Sequence, residues 1–457
     1  MTKTKLFGTD GVRGKANEYP MTIDFAQKLG MATGKMICKK HFKAAIAKDT
    51  RISGDMLEAA LIAGLTSQGV DVIKLGVLPT PALTTLTKQL NVDMAVMITA
   101  SHNPFTDNGL KLISSDGSKF SDETTSLIEK AINETTFSYE KDKIGKVFED
   151  YSLIQKYKDI ALKMKKETKP LQGLNVVLDC ANGCFFEILP EIFSNFGANI
   201  TVLSNTPNGK NINLNCGSQH TEQLCTTVIK TNADIGIAVD GDGDRIIICD
   251  ELGNRINGDQ IIAFLGLYYH QKNMLSTNSV VATIVSNPAL DSFLQKKGIK
   301  CYRSAVGERY VIDEMKKYGS NIGGEESGHM VISDYAKTGD ALMAALIVAL
   351  GLKESGKKMS QIFPLFTPMA KVRIDAKFAN NNMMNDAFED NNFKKAIECC
   401  EQKIKDEGKI LIRKSGTEPK IQVWVWADNK DFAKEINLEM IKNLENCSGF
   451  EELKTIS

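Results

Sequence analysis

Short apolar runs alternate with amphipathic segments along most of this chain. Residues 43–48 (KAAIAK) predict one strand, and residues 70–76 (VDVIKLG) predict the next. Between them, leucines recur at every fourth position over 57–65 and would fall on one face of a helix. We expect Ser53 to cap the N-terminus of that helix and Gly69 to end it. Together these segments predict a β-α-β unit.

The same alternation returns further along the chain. Four more apolar runs, each followed by a polar or glycine-rich loop, predict strands at 94–100, 174–180, 234–240 and 279–285. Strands that alternate with helices are typical of α/β domains with mainly parallel sheets. Such sheets bind ligands at the carboxyl ends of their strands, so we expect the chemistry in the loops that follow these runs.

The C-terminal part of the chain follows a different pattern. Its predicted order is β-α-β-β-α, which indicates an α+β module with a central hairpin. The predicted elements are strands at 371–374, 410–413 and 421–427 and helices at 393–405 and 431–446. We expect residues 354–368, which include two prolines, to link this module to the rest.

Length and composition narrow the class of protein. With 457 residues, 42% of them hydrophobic, the chain is long enough for two to four domains with ordinary cores. Acidic and basic residues are balanced, 56 of each, which argues against a dedicated nucleic-acid or anionic-membrane protein. The longest uncharged apolar run, 341–352, is shorter than the roughly 20 residues of a bilayer span. We therefore predict a buried helix there.

The N-terminus and the cysteines favour a cytoplasmic location. The first residues reach a Gly-Thr-Asp-Gly turn before any apolar stretch forms, so we expect no signal peptide. The ten cysteines lack zinc-site spacing, and we expect them to be reduced, packed thiols. The prediction is a cytoplasmic protein with no nucleic-acid and no membrane partner.

The most specific motif is DGDGDR at 240–245, directly after an apolar run. Its glycines let the backbone turn tightly, so Asp240, Asp242 and Asp244 can converge on one point. Three carboxylates that close repel one another unless a cation lies among them, and oxygen ligands alone select Mg²⁺ or Ca²⁺ rather than Zn²⁺. A solvated acidic turn is the alternative. An EF-hand is excluded because the segment before Asp240 is strand-like.

A second motif, TASHNP at 99–104, places Ser101 in the loop after another predicted strand. Pro104 biases Asn103 away from the helical region, which would keep the loop exposed and the hydroxyl accessible. No G-x-S-x-G elbow surrounds Ser101, so serine-hydrolase chemistry has little support. A serine in this context is more often a turn residue than a nucleophile. Beside a magnesium site, however, a phosphorylated hydroxyl would be a usable phosphoryl donor.

Three further loops carry groups that suit a sugar phosphate. Residues 413–420 (RKSGTEPK) predict a hairpin loop whose hydroxyls, backbone N–H groups and guanidinium could hold a phosphate. Residues 323–329 (GGEESGH) offer carboxylates, a hydroxyl and an imidazole to sugar hydroxyls, and 7–14 (FGTDGVRG) offers Arg13 to an anion. A plain polar hairpin and a helix-capping role are the alternatives for the first two loops. The chain has neither a Walker A loop nor a G-x-G-x-x-G fingerprint.

In this order and spacing, FGTDGVRG, TASHNP, DGDGDR, GEESGH and RKSGTEP resemble the motif set of the α-D-phosphohexomutase superfamily over essentially the whole chain. Within the superfamily, the sequence is most similar to the phosphoglucosamine mutase family. The supporting stretches are 49–65, 78–83, 102–112, 211–222 and 306–311. One departure is Glu326, which stands where that family typically has Gln.

The resemblance implies a fold of class α/β, in which three similar α/β domains with mixed sheets and a smaller C-terminal α+β domain surround a central cleft. Each domain would contribute one loop. The expected domains are 1–150 with the phosphoserine loop, 151–253 with the metal loop, 254–367 with the sugar-binding loop and 368–457 with the phosphate-binding loop.

The resemblance also implies roles for individual residues. Ser101 would be the phosphoserine, and Mg²⁺ would be bound by a phosphate oxygen on Ser101 together with Asp240, Asp242 and Asp244. Lys111 would be the general acid or base, assisted by Arg13, His102, Arg245 and His329. The residues that would bind substrate are Glu325, Ser327 and His329 for the sugar and Arg413, Ser415, Gly416 and Thr417 for the phosphate that is not reacting.

The implied activity is interconversion of glucosamine 6-phosphate and glucosamine 1-phosphate through a bisphosphate, feeding UDP-N-acetylglucosamine and cell-wall precursor synthesis. The partner would be a small hexose phosphate, and the resemblance also allows a homodimer. A phosphomannomutase or phosphoglucomutase would share every catalytic residue and stays open as an alternative. Two other classes also stay open: a hydrolase that uses Ser101 and a non-catalytic sugar-phosphate-binding protein.

Overall fold

A computed structural model describes residues 6–8, 10–37, 42–133, 137, 142–405, 407–415 and 418–456. Within this part of the chain, the strands form four separate sheets. The first three sheets are mixed and are covered by helices, and the fourth is antiparallel. The observed class is therefore α/β, with several domains and a C-terminal α+β domain, as the resemblance implies.

The first domain is built on a six-stranded sheet. Its strands are β1 (Val12–Lys15), β2 (Lys43–Lys48), β3 (Asp71–Val77), β4 (Met94–Ile98), β5 (Asp107–Ser114) and β6 (Val147–Glu149). Its helices are α1 (Ile23–Ile37), α2 (Ser53–Thr66), α3 (Thr80–Leu86) and α4 (Asp122–Ile132). The strand order is β1-β5-β4-β2-β3-β6, and β5 runs antiparallel to both of its neighbours.

The predicted β-α-β unit of this domain is confirmed except at its helix cap. β2 matches the predicted strand, β3 begins one residue later than predicted, and the leucine face of α2 is buried. Ser53 is not the N-cap: α2 begins at Ser53, and Ile52 precedes it without a capping side chain. The Ser53 hydroxyl instead accepts a hydrogen bond from Asn108 Nδ2 at 2.8 Å. A tertiary contact with β5 has thus replaced the local cap.

The second domain has a five-stranded sheet in the order β11-β10-β9-β7-β8. Its strands are β7 (Asn175–Asp179), β8 (Asn199–Leu203), β9 (Ile235–Val239), β10 (Ile246–Asp250) and β11 (Arg255–Ile256). Its helices are α5 (Leu153–Leu162), α6 (Ile188–Asn195) and α7 (Glu222–Thr231). β7, β8 and β9 are parallel, and β10 runs antiparallel to β9.

The third domain has a four-stranded sheet in the order β13-β12-β14-β15. Its strands are β12 (Ser279–Thr283), β13 (Lys300–Ser304), β14 (Ile322–Gly324) and β15 (Met330–Ile332). Its helices are α8 (Gly258–Gln271), α9 (Ala289–Lys296), α10 (Glu308–Tyr318), α11 (Ala341–Ser355) and α12 (Met359–Ile362). α11 is the predicted buried helix, and nearly all of its side chains lie in the core.

One feature of topology recurs in the three α/β domains. In each, a strand that is parallel to its inner neighbour turns back into an antiparallel strand: β4 into β5, β9 into β10 and β14 into β15. The connecting loops lie at the carboxyl ends of parallel strands, where α/β sheets bind ligands. The sequence predicted mainly parallel sheets, and these turns explain why they are mixed.

The C-terminal domain is an antiparallel sheet with helices on it. Its strands are β16 (Ala370–Phe378), β17 (Gly408–Lys414), β18 (Lys420–Ala427) and β19 (Phe450–Ile456), and its helices are α13 (Asn381–Phe388), α14 (Asn391–Ile404) and α15 (Lys430–Ile441). The strand order is β17-β18-β16-β19. The predicted β-α-β-β-α order is present, but it lacks α13 and β19. β19 is an edge strand with mostly exposed side chains, so it carries no clear apolar alternation.

Two other expectations from the sequence can be compared with the structure. The predicted linker 354–368 is partly helical, because it contains the end of α11 and all of α12. The nine cysteines in the described part of the chain are free thiols. In the same part, no helix is both long enough and apolar enough to cross a bilayer.

Candidate active site

The loops of the three α/β domains meet at one place, which we call the Ser101 junction because Ser101 is at its centre. Ser101 Oγ donates a hydrogen bond to Asp240 Oδ2 at 2.6 Å, although the two residues are 139 positions apart. Ser101 is 1% exposed and has φ of +53°, a left-handed conformation that is strained for serine. The loop therefore directs its hydroxyl toward the acidic loop of the second domain.

A buried ion pair between Asp49 and Arg51, which the sequence analysis did not single out, holds the Ser101 loop in place. Arg51 is buried, and its guanidinium donates to the backbone oxygens of Ser101 at 2.9 Å and Asn103 at 2.8 Å. Asp49 accepts from Arg51 Nε at 2.8 Å and from Thr99 Oγ1 at 2.6 Å. Asp49 and Arg51 follow β2, beside the strand that ends at the Ser101 loop. The rule that ligands bind at the carboxyl ends of strands could have identified them.

The second domain approaches the same loop through its backbone. A Cβ atom at Gly241 would lie 2.8 Å from the Ser101 carbonyl oxygen and 2.7 Å from Ile212 Cδ1. Asn213 Nδ2 donates to that same carbonyl at 2.8 Å. Glycine at position 241 is therefore what lets the acidic loop come this close to Ser101.

The acidic loop has the properties of a metal site. Asp240, Asp242 and Asp244 are buried, and one ligand oxygen of each lies within 4.8 Å of the others. Oδ1 of Asp242 and Oδ1 of Asp244 are buried without a hydrogen-bond partner in the described part of the chain. Burial and the neighbouring carboxylates raise the pKa of Asp240 well above its ordinary value. Buried oxygens without a hydrogen bond, together with the mutual repulsion of the carboxylates, fit a bound divalent cation.

Lys111, on β5, is the cation closest to these carboxylates in the described part of the chain. Its Nζ lies 2.7 Å from Asp242 Oδ2 and 3.2 Å from Asp244 Oδ2, and its side chain is 3% exposed. Burial alone would lower the pKa of Lys111, but Asp242 and Asp244 outweigh it, so that the pKa is raised above the usual value. Lys111 is therefore protonated at pH 7, and it stands beside the carboxylates as a cation and not as a free base. The Thr80 hydroxyl also donates to Asp242 Oδ2, at 2.6 Å, so this oxygen has two partners.

The other predicted helpers surround the serine. His102 Nδ1 lies 3.3 Å from Ser101 Oγ, and burial together with Arg245 and Arg13 lowers the pKa of His102 to about 4. This imidazole is therefore neutral at pH 7. Arg13 Nη1 reaches the Ala100 carbonyl at 3.5 Å, and Arg245 Nε lies 3.9 Å from Asp244 Oδ1. Two guanidiniums thus lie at the loops that carry Ser101 and Asp244, and guanidinium is a group that binds phosphate well.

The third domain contributes the loop at 323–329. His329 is buried, with Nδ1 3.6 Å from Asp244 Oδ1, so it joins the junction directly. Glu325 accepts from the Gly307 backbone N–H at 2.9 Å. Ser327 and Glu326 line a cavity of about 840 Å³ beside the C-terminal domain. Glu326, the departure from the family pattern, pairs with Lys371 of that domain at 2.5 and 2.7 Å.

The described residues of the predicted phosphate loop, in the C-terminal domain, contact their own domain. Arg413 stacks over Trp424 of its own domain, with 5.8 Å between the guanidinium carbon and the ring centroid. Burial and Arg373 lower the pKa of Arg413. Ser415 Oγ accepts from the backbone N–H of Glu418 at 3.4 Å. Gly416 and Thr417 lie outside the described residues. Among the described residues, no hydrogen bond or ion pair joins this loop to the Ser101 junction.

Family models match the three α/β domains in turn. Residues 4–139 match phosphoglucomutase/phosphomannomutase alpha/beta/alpha domain I, residues 153–253 match domain II, and residues 257–369 match domain III. Among solved structures, a phosphoglucomutase/phosphomannomutase family protein from Burkholderia thailandensis superposes with a TM-score of 0.82 at 20% identity, covering 98% of this chain and 100% of that one. N-acetylphosphoglucosamine mutase from Aspergillus fumigatus gives 0.66 at 16% identity, covering 96% and 95%.

Curated relatives are more similar in sequence than these structures. A phosphoglucosamine mutase from Paramagnetospirillum magneticum is 41% identical over 449 residues, covering 97% of this chain and 99% of the relative. The enzyme of the same name from Rhizobium rhizogenes is 40% identical over 453 residues, covering 98% and 100%. Similarity of this extent, together with the family-model matches, shows that the chain belongs to the phosphoglucosamine mutase family of the α-D-phosphohexomutase superfamily.

Proposed function

We propose that this protein interconverts glucosamine 6-phosphate and glucosamine 1-phosphate, with Ser101 as the phosphoryl carrier. It is an enzyme of the phosphohexomutase isomerase type, and its similarity to curated phosphoglucosamine mutases supports the amino sugar over mannose or glucose phosphates. The observation that carries the proposal is the 2.6 Å contact between Ser101 Oγ and Asp240, inside a buried group of three carboxylates.

The reaction needs two phosphoryl transfers. In the first, the bond between phosphorus and Ser101 Oγ breaks while a bond forms to O1 of the sugar, and the O1 proton leaves to a base. Ser101 is left as a hydroxyl after it takes up a proton. The bisphosphate then turns end for end. In the second transfer the bond between phosphorus and O6 breaks while a bond forms to Ser101 Oγ, which gives up its proton, and O6 takes up a proton to become a hydroxyl. Such transfers depend on alignment and charge neutralisation more than on covalent help.

Each step draws on residues at the junction. We assign Lys111 to proton transfer and charge neutralisation, because its ammonium is held at the carboxylates next to Ser101. Arg13 and Arg245 would bind the transferring phosphate, and neutral His102 can exchange a proton with Ser101 Oγ. His329 would face the sugar from the third domain, with Glu325 and Ser327 as binding groups for its hydroxyls.

The metal in this proposal is Mg²⁺, held by Asp240, Asp242, Asp244 and a phosphate oxygen on Ser101. The all-oxygen ligand set suits it, and the Aspergillus mutase was solved with GlcNAc-6P and magnesium. When bound, the ion would neutralise charge on the transferring group. Arg413, Ser415, Gly416 and Thr417 would bind the distal phosphate once the C-terminal domain closes over the substrate.

The remaining expectations belong to the same proposal. We propose domain borders at 1–150, 151–253, 254–367 and 368–457, which the family-model matches support at the first three domains. A cytoplasmic location suits a sugar-phosphate enzyme with free cysteines, and the product would enter UDP-N-acetylglucosamine and cell-wall precursor synthesis. We also propose a homodimer, to be tested by light scattering.

Two measurements test the proposed function. Initial rates with glucosamine, glucose and mannose 6-phosphates should show a clear preference for the amino sugar, and a stronger preference for glucose or mannose would reject it. Intact mass should show one phosphate that maps to Ser101, is lost with substrate and is absent from Ser101→Ala. Steady release of inorganic phosphate without isomerisation would instead indicate a hydrolase. Full activity of Ser101→Ala would exclude Ser101 as the carrier.

A further inference from the structure

A chain of alternating charges crosses all three α/β domains beside the Ser101 junction, partly exposed at its end in the first domain and buried over the rest. Its ends are Arg13, a proposed phosphate ligand, and Asp244, a proposed metal ligand. In order, its members are Arg13, Asp10, Lys119, Glu308, His329 and Asp244. Glu308 occupies the middle of this chain, where the first and third domains meet.

Glu308 is held on both of its oxygens. It is the first residue of α10, follows Gly307 with φ of +124°, and has a side chain that is 6% exposed. Oε1 accepts from the Gly339 backbone N–H at 3.1 Å and from the Thr338 hydroxyl, and it lies 2.9 Å from His329 Nε2. Its other oxygen pairs with Lys119. The carboxylate therefore cannot rotate without losing a contact to another element.

His329 is held between Glu308 and the metal loop. Its Nε2 lies 2.9 Å from Glu308 Oε1 and accepts a hydrogen bond from the Gly339 backbone N–H at 3.0 Å, while Nδ1 lies 3.6 Å from Asp244 Oδ1. The ring also packs closely on the backbone of Gly339, where a Cβ atom would lie 2.5 Å from His329 Cε1 and Nε2. Since both nitrogens have an acidic neighbour, moving the Glu308 carboxylate would change the direction in which Nδ1 points.

Lys119 extends the chain into the first domain. It lies in the loop after β5, forms a bridge with Ile113 and places its Nζ between Asp10 and Glu308. Burial alone would lower the pKa of Lys119, but Asp10 and Glu308 outweigh it and raise the pKa above the usual value. Asp10 in turn accepts from Arg13 Nη2 at 2.8 Å. Asp10 and Lys119 thus connect Glu308 of the third domain to Arg13, which contacts the backbone next to Ser101.

We propose that Glu308 is a positioning residue for the mutase reaction, an inference that rests on the proposed function. It orients the His329 ring between the metal loop and the sugar, and through Lys119 it sets the distance between the first and third domains. It acts through His329 and does not touch the reacting atoms.

Stability alone is a weak reason for such a network. Buried ion pairs lose much of their Coulomb attraction to desolvation, and apolar residues of similar volume are often equally stable in their place. Positioning explains why the charges run between a proposed phosphate ligand and a proposed metal ligand. An error of about 1 Å in the placement of a catalytic group can cost on the order of 10²-fold in rate.

A double-mutant cycle separates positioning from a structural role. We would compare wild type, Glu308→Gln, His329→Asn and the double variant, measuring kcat and KM for glucosamine 6-phosphate. Glu308→Gln should lower kcat on the order of 10²-fold with a much smaller change in KM. The double variant should be no slower than His329→Asn alone, because Glu308 acts through that ring. Glu314→Gln is the matched control and should keep wild-type rates, because Glu314 is a partly exposed residue of α10 that pairs with Lys317 of the same helix.

Several outcomes would overturn the inference. If the rate losses of the two single variants multiply in the double variant, Glu308 does not act through His329. If Glu308→Gln fails to fold, Thr338→Val replaces it, because that change removes one donor to Glu308 and keeps the carboxylate. Its smaller kcat loss should vanish in the His329→Asn background, and a loss that persists there rejects the inference. Wild type without mutase activity on any of the three sugars would instead contradict the proposed function.

Discussion

Replacing Lys111 with methionine tests whether this ammonium balances the charge of the metal site. Methionine keeps the apolar stem and removes the charge. The Nζ atom lies 2.7 Å from Asp242 Oδ2 and 3.2 Å from Asp244 Oδ2, which at an effective dielectric constant of about 20 gives gross attractions of about 6 and about 5 kcal/mol. Most of this is offset by desolvation. Removing one partner from a buried ion pair has a net cost of about 3–5 kcal/mol.

The variant should also respond more strongly to Mg²⁺. Lys111 and a divalent ion compete for the carboxylates of Asp242 and Asp244, so removing the ammonium should tighten Mg²⁺ binding about tenfold or more, equivalent to about 1.4 kcal/mol. Mg²⁺ should therefore restore part of the stability that Lys111→Met loses. Activity should fall in all conditions, because the proposed proton donor is missing.

The assays are urea unfolding with and without Mg²⁺ and calorimetric titration of the folded protein with Mg²⁺. Lys74→Met is the matched control, because Lys74 forms a partly exposed ion pair with Glu149 far from the acidic loop. It should change little in either assay. The reasoning is refuted if Lys111→Met binds Mg²⁺ no more tightly than wild type, or if it is as stable as wild type without the metal.

Two other variants test the close contact at Gly241 and the raised pKa of the buried Asp340. Gly241→Ala would place Cβ 2.8 Å from the Ser101 carbonyl oxygen, so kcat and Mg²⁺ affinity should both fall. Gly54→Ala is the control, because its Cβ meets nothing closer than 3.4 Å and the variant should retain both. Equal kinetics in the two variants would contradict this reasoning. Burial raises the pKa of Asp340 to about 6, so the folded state holds its proton more tightly than the unfolded state does. Wild type should therefore lose about 2 kcal/mol of stability as pH rises from 4 to 6, out of about 3 kcal/mol in all, and Asp340→Asn should lack that part of the slope in urea unfolding. Parallel slopes would reject the assignment.

Local pattern was sufficient for much of the fold. The strands before the Ser101 and acidic loops, and helix α11, lie where apolar periodicity predicts them, because each buries an uninterrupted apolar stretch. Prediction was poorer where tertiary contacts override local preference. Ser53 bonds to Asn108 instead of capping α2, and edge strand β19 has no buried face to give it a recognisable pattern.

The residues of the candidate site also fall into those that the sequence identified and those that it did not. DGDGDR and the loop around Ser101 were identifiable because the residues that define each motif are adjacent in the chain. Glu308 was not identifiable, because its partners come from other segments and another domain, so no local spacing reveals them. Arg51 follows a strand and could have been noticed, but only the fold shows that it holds the Ser101 loop.

The sequence by itself determined most of the elements, the order of the loops, the family and the residue types available for phosphoryl transfer, since these depend on neighbours along the chain. Only the tertiary structure decided that Ser101 touches Asp240 across 139 positions and that His329 lies between Glu308 and Asp244. The physical reason is burial: packing removes water from these groups, and in that environment their distances determine which charges are paired and which protons are held.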